Sequence, residues 1–283
     1  MSVNQRSKRR LLAVFAHPDD ESFGPGGTLA LYAHRGVEVH LICATRGEVG
    51  ETPDEAGDLT DEKVAQLREN ELRCAAQILG LQEVHFLNYR DSGMPGAETN
   101  HHPLALANTP IDEVAQKIAS IARRVQPQVM ITFDPIGGYR HPDHIAIQRA
   151  TVKAFEHLRF EANNEFSKPE KLYYHTFPKR LMRVLVRLMP LFGQDPHRFG
   201  INEDIDLVDI AKVDYPIHAR IQVRSVMQEK AQASACHASQ QGGSSGGLFR
   251  SFLRIFGSRE QFMRAFPPAS DSLQESDLFA GIK

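Results

Sequence analysis

Two short stretches carry residue types suited to hydrolysis. Ala16–Glu21 reads AHPDDE and follows the apolar run Leu11–Phe15, while His141–His144 reads HPDH and follows the apolar run Val129–Phe133. His17 and Asp20 stand three apart on a turn leaving a strand, so they can converge on one metal ion. With His144 they form a His2Asp set that keeps a fourth position open for water. Zinc held in this way lowers the pKa of its water toward ~7. Asp19 lies beside the metal without being needed to bind it, which suits a general base that passes a proton to a leaving amine. In HPDH, Pro142 fits the first turn of a helix and places His141 and His144 on one face. His141 is then free beside the metal, and Asp143 is expected to hydrogen-bond it and favour an imidazolium that stabilises an oxyanion. Tyr139, two residues upstream, offers a phenolic donor to the same oxyanion.

Positioning these residues requires buried strands. Leu11–Ala16, Val37–Ala44, Val84–Leu87 and Val129–Phe133 read as strands with apolar faces on both sides. Between them, Thr28–Arg35, Asp61–Leu79 (with Gly80 as C-cap), Ile111–Val125 and the segment from His141 to His157 read as helices. Strands alternating with helices imply a Rossmann-like, mostly parallel, doubly wound α/β sheet. Ligands of such sheets gather beyond the carboxyl ends of the strands, where both motifs fall. Leu172–His175 is a further strand candidate, and the segment from His218 to His237 reads as helix. The sequence predicts one domain over residues 1–240, with a poorly patterned insertion at about 159–212. Residues 241–283 are expected to be a flexible segment and a loosely ordered tail packed on that domain.

The 283 residues are 41 % apolar and 24 % charged, with a formal charge of −2. That balance offers no general attraction to nucleic acid. No window approaches a membrane span, and no signal peptide is recognised, so a cytoplasmic location is expected. The basic-apolar stretches Arg180–Phe192 and Leu248–Phe256 read as packed helices, with a peripheral membrane contact as the alternative. Cys43, Cys74 and Cys236 are few, odd in number and widely spaced, which argues against disulfides.

The two motifs and their surroundings resemble the PIG-L/LmbE-type N-acetylglucosamine deacetylases. The resemblance extends to Thr45–Glu48, Arg68 with Glu71, Tyr89–Met94, Gly137–Tyr139 and His237–Gln240. It implies a Rossmann-like fold and zinc-dependent hydrolysis of an acetamide on a small amino-sugar substrate, and the YRDSGM and GGY signals are most similar to the mycothiol-type deacetylase and amidase branch. It makes His17, Asp20 and His144 the metal ligands, Asp19 the base and His141, paired with Asp143, the oxyanion-stabilising acid. Arg68 and Asp91 fall where the family contacts sugar hydroxyls or a phosphate or inositol group. Iron(II) tolerates the same ligands as zinc, and a homo-oligomer is compatible with the chain.

Plainer readings compete at several positions. Gly24–Gly27 after a strand invites a dinucleotide site, but Leu29 replaces the third glycine of that fingerprint, so a turn supporting the metal loop is expected. His40, His85, His101 and His102, at irregular spacing, are read as structural or exposed. His237 is read as a helix-end histidine against the dipole. An amidase acting on a larger acyl or thiol-conjugate amide, and a catalytically silent sugar-binding module, are the alternative functions.

Overall fold

The computed structural model describes residues 8–50, 59–161, 167–176, 179–198, 206–240 and 258–282. In chain order the elements are β1 (Arg10–Phe15), α1 (Asp20–Phe23), α2 (Gly26–His34), β2 (Glu38–Thr45), α3 (Asp61–Leu79), β3 (Glu83–Tyr89), α4 (Ile111–Val125), β4 (Val129–Phe133), α5 (Gly137–Arg140) and α6 (Pro142–Phe160). After these come β5 (Lys171–Thr176), α7 (Lys179–Leu188), α8 (Leu207–Lys212), β6 (Ala219–Gln222), α9 (Met227–Cys236) and β7 (Arg259–Phe266).

The strands form one sheet in the order β3-β2-β1-β4-β5-β7-β6. The first five are parallel, and β7 pairs antiparallel with both β5 and β6. The expected α/β, Rossmann-like architecture is thus present. β1 lies inside the sheet, where Leu11, Leu12, Ala13 and Val14 are completely buried and the first three pair with both β2 and β4. Truncating one such leucine costs about 2–5 kcal/mol in a packed core. Strand order reverses between β1 and β4, and AHPDDE and HPDH leave the carboxyl ends of those two strands. That switch point is where this topology opens a crevice.

α3 ends at Gly80 in the left-handed conformation (φ 72°), as its sequence predicts, and α4 has the expected bounds. The buried stripe of α3 is unusual: it carries Arg68 and Glu71, while Leu67 is 36 % exposed. A charged pair on the inward face, with a leucine turned out, marks a helix serving a site as well as a core.

Three expectations are corrected. The segment from His218 to His237 is not one helix, since β6 precedes the shorter α9. The carboxyl-terminal region is not a loosely packed tail: β7 lies inside the sheet, and Leu278, Phe279 and Ile282 are buried. Cys74 on α3 and Cys236 at the end of α9 form a disulfide across 162 residues, their Cα atoms 6.0 Å apart; the packing of α3 on α9 joins cysteines whose separation conceals them. Cys43 is a free, buried core residue. The stretch Leu248–Phe256 lies outside the described residues. No described helix is long and apolar enough to cross a membrane.

Candidate active site

AHPDDE turns sharply after β1. Asp19 has φ 124° and ψ −30°, a conformation that costs a non-glycine residue roughly 1–3 kcal/mol. Its surroundings enforce it. The Asp19 N–H donates to Glu21 Oε2 (3.0 Å), and its carbonyl accepts from Ser22 and Phe23. Asp20 folds back so that its Oδ2 accepts the N–H groups of His17 (2.8 Å) and Ala16 (3.2 Å). The side chains of His17 and Asp20 are thereby turned toward the same space.

The second motif arrives on α6. His141 is the N-cap of that helix, its Nδ1 accepting the Asp143 N–H at 3.2 Å, and Pro142 fills the first turn as expected. His144, one turn further on, stacks on Phe133 and lies 3.1 Å through Nδ1 from the Gly137 carbonyl. Gly137 has φ 65°, and a Cβ there would lie 2.7 Å from that of His144. The Gly-Gly-Tyr turn therefore needs glycine at this position.

The motifs meet closely. His17 Nδ1 is 3.1 Å from His144 Nε2. Asp20 Oδ1 lies 3.3 Å from the same His144 nitrogen, and Asp20 Oδ2 lies 3.7 Å from His17 Nδ1. His17, His141 and His144 each also offer a donor atom within 4.8 Å of the others. His141 is the poorer ligand of these, because its Nδ1 is occupied at the cap and its proton then sits on Nε2, as a donor. The two other imidazoles and Asp20 are the N,N,O set that borderline divalent ions such as zinc or iron(II) accept.

The electrostatics fit a cation. Asp19, Asp20, Asp91 and Asp143 crowd this buried space. Burial, together with the neighbouring Asp19, pushes Asp20 up to about 8. Burial opposes charging His17, but Asp91, Asp143 and Asp20 more than offset it and raise its pKa well above the ordinary value. Burial, with the other two imidazoles nearby, pushes His144 well below its ordinary value and keeps it neutral. A divalent ion would relieve this excess of anionic groups.

Asp143 departs from its expected partner. Its Oδ2 lies 3.1 Å from His17 Nε2 and accepts the Ser92 N–H at 2.9 Å, while Oδ1 accepts the Ser92 hydroxyl. It therefore orients His17 from behind, the arrangement by which a carboxylate fixes the tautomer of a ligating histidine. The reason is helical geometry: at the start of α6 side chains two positions apart diverge, and the backbone N–H of Asp143, not its carboxylate, reaches His141. Burial and His17 push His141 down to about 3. It is a neutral donor here, not the imidazolium the sequence suggested. The half-buried Tyr139 packs edge-on against His141 and His144, its ring centroid 6.0 and 4.9 Å from theirs.

Arg68 and Asp91 are likewise interior residues, 3 % and 4 % exposed. Arg68 donates to the carbonyls of Gly47 (2.8 Å) and Pro18 (2.7 Å) and to Asp19 Oδ2 (3.0 Å). Asp91 accepts the Gly93 N–H and stands 3.5 Å from His17 Nε2. Burial acts to raise its pKa, but His17 prevails and holds it far below the usual carboxylate range. In this structure both residues bond to neighbouring groups of the site itself.

Sequence reasoning missed a second layer. Glu21, completely buried, meets His237 Nε2 at 2.8 Å, and Glu71 accepts the N–H and hydroxyl of Ser239. His237 caps the end of α9, the helix-end position its sequence suggests, and there also anchors the AHPDDE loop. The polar inward face of α3 was the available signal. Ser92, which holds Asp143, lies inside the YRDSGM run but gives no sign of that partnership in sequence.

A cluster of histidines and aspartates that could hold a metal ion, at the switch point of a buried parallel sheet, is the arrangement of a metal-dependent hydrolase. The chain belongs to the PIG-L family: the family model described as "PIG-L: GlcNAc-PI de-N-acetylase" matches residues 12–155. It is 36 % identical over 290 residues to the 1D-myo-inositol 2-acetamido-2-deoxy-alpha-D-glucopyranoside deacetylase of Acidothermus cellulolyticus, covering 97 % of this chain and 95 % of that protein. Among solved structures it is similar to N,N'-diacetylchitobiose deacetylase from Pyrococcus horikoshii (TM-score 0.62, 20 % identity, 91 % of this chain and 84 % of that one). It also matches the 4-carboxy-2-hydroxymuconate hydratase of Pseudomonas putida (TM-score 0.60, 21 % identity, 94 % and 99 % covered). The latter two likenesses concern the fold, which carries more than one reaction. The chain is an N-deacetylase of the PIG-L type.

Proposed function

We propose that the protein hydrolyses the acetamide of a glucosaminyl-inositol compound, releasing acetate and the free amine, with zinc held by His17, Asp20 and His144. The observation that carries this reading is the convergence of His17 Nδ1, His144 Nε2 and Asp20 within 3.1–3.7 Å beside Asp19. The substrate class rests on the near-full-length relative named for that activity. Bound zinc supplies Lewis acidity and a water of lowered pKa.

The chain's own residues supply the rest. Asp19 takes a proton from the attacking water and returns it to the departing nitrogen as the C–N bond breaks. Burial raises its pKa, while Arg68 is the main opposing influence, so it works closer to neutrality than an exposed aspartate. His141 donates its Nε2 proton in a hydrogen bond to the carbonyl oxygen as that oxygen gains charge, and Tyr139 lines the same side. Asp143, Asp91 and Ser92 hold His17 in its ligating orientation.

The test is amine release from the acetylated glucosaminyl-inositol, from N-acetylglucosamine and from a bulky-acyl glucosaminyl-inositol, before and after chelation with zinc add-back. Turnover should be fastest on the first, vanish with chelator and return with zinc. Faster release from the bulky amide would replace this reading with an amidase. No release from any of them by the zinc-loaded protein would reject hydrolysis of these amides.

A further inference from the structure

A second cluster of metal-binding side chains lies away from the active site. His40 on β2 pairs across the ladder with Glu83 on β3, and His85 follows two residues after Glu83 on the same face. The position is the amino-terminal half of the two strands, at the edge of the sheet, whereas AHPDDE and HPDH leave the carboxyl ends. One donor atom from each of His40, Glu83 and His85 lies within 4.8 Å of the others.

The local geometry is poorly explained by hydrogen bonding. His40 is 8 % exposed, and its Nδ1 is buried without a hydrogen-bond partner. That nitrogen faces Glu83 Oε2 at 4.0 Å, and His85 Nδ1 faces Glu83 Oε1 at 3.5 Å. Both separations exceed a hydrogen bond. Two donors on one zinc ion stand roughly 3.4 Å apart at tetrahedral angles, so rotation of the exposed Glu83 side chain and a turn of the stacked imidazoles would bring the set into range. The rings lie nearly parallel, 11° apart with centroids 5.9 Å from each other. Burial pushes both imidazoles below their ordinary value, His85 adding to the effect on His40, so each keeps a lone pair at neutral pH. Of the nearby cations, Arg10 is bound to Glu38 at 2.9 Å, and Arg124 on α4 is the charge that opposes a metal at His85.

We infer that His40, Glu83 and His85 form a peripheral site for a divalent late transition-metal ion, zinc being the probe, which clips edge strand β3 to β2. Two imidazoles and one carboxylate favour such ions over calcium or magnesium. The exposed side of Glu83 leaves room for water to complete the shell.

The test is metal stoichiometry of the full chain, stripped with chelator and dialysed against micromolar zinc. Glu83→Gln and His85→Asn should each lower bound zinc by about one equivalent per chain and leave turnover unchanged, while His144→Ala should keep that equivalent. Loss on Glu83→Gln together with retention in His144→Ala separates this site from the catalytic centre, even if the catalytic centre takes no zinc. Cobalt should give a ligand-field band in His144→Ala that His85→Asn abolishes. Equal zinc content in wild type, Glu83→Gln and His85→Asn would overturn the inference. Glu83 is largely exposed, so its variant tests the site without disturbing the core.

Discussion

The two histidine clusters lie on different strands of one sheet and differ in how completely they are supported. The first lies beyond the carboxyl ends of β1 and β4, the second in the amino-terminal half of β2 and β3. Around His17 and His144, ring nitrogens meet Asp143 and the Gly137 carbonyl, and Asp143 is itself held by Ser92. Around His40 and His85, a buried nitrogen on each ring has no partner and the carboxylate is on the surface. The first arrangement fixes donor positions before anything binds. The second leaves final placement to the ion. Preorganisation is what chemistry needs and a structural clip can do without.

The largest effect is expected at Asp19. Asp19→Ala should keep bound zinc yet lose about 10²–10⁴-fold in turnover, since it removes a base and no ligand; single-turnover amine release against metal content measures both, and near-normal turnover would remove Asp19 from the mechanism.

The next effect is on stability, through a third imidazole that belongs to neither cluster. His175, buried on β5, is pushed down to about 4 by desolvation. The unfolded chain binds that proton near pH 6.5, so the unfolded state holds more protons between 6.5 and 4 and stability falls as pH falls through that window. The loss is at most about 3 kcal/mol, or roughly a hundredfold in the folding equilibrium. Denaturant unfolding at a series of pH values should show a flatter slope for His175→Phe than for wild type. Identical slopes would mean that the imidazole charges without cost.

Asp143→Asn should weaken zinc binding or turnover about 10–100-fold by loosening His17. If it instead acts through His141, metal affinity will be unchanged and only turnover will fall. The smallest effect is expected at the second cluster: Glu83→Gln should alter turnover by less than about twofold, as surface changes remote from a site do. A larger loss would show that the two clusters are coupled through the sheet.

Where residues act through neighbours in the chain, the sequence was readable. β1 and β4 announced themselves as short apolar runs, α4 by its periodicity, and the His17, Asp20 and His144 convergence by its place at strand ends. The convergence of His17 with His144 is long-range, and it was readable only because both motifs sit at strand ends; partners without such a signal were not readable. Asp143 could be placed beside His141 by adjacency, but only the packing of α6 against β1 and the Ser92 loop reveals that it serves His17. The family resemblance alone suggests a substrate role for Arg68, and helix periodicity gives no sign of the Gly47 and Pro18 carbonyls that it meets. His40 and Glu83, 43 positions apart by numbering, become neighbours only through the β2–β3 register. Cys74 and Cys236 were hidden in the same way.

The placement of β7 has a consequence for the life history of the chain. Glu260 on β7 accepts the N–H groups of Gly27 and Thr28 at the start of α2, next to the AHPDDE loop, and binds Lys230. During synthesis, β5 has an open edge and β6 lacks its strand partner until residues 259–266 leave the ribosome. The nascent protein can therefore assemble β1–β4 early, but the support of its catalytic loop is completed only once β7 has emerged. Until then the growing chain carries an unpaired sheet edge at β5.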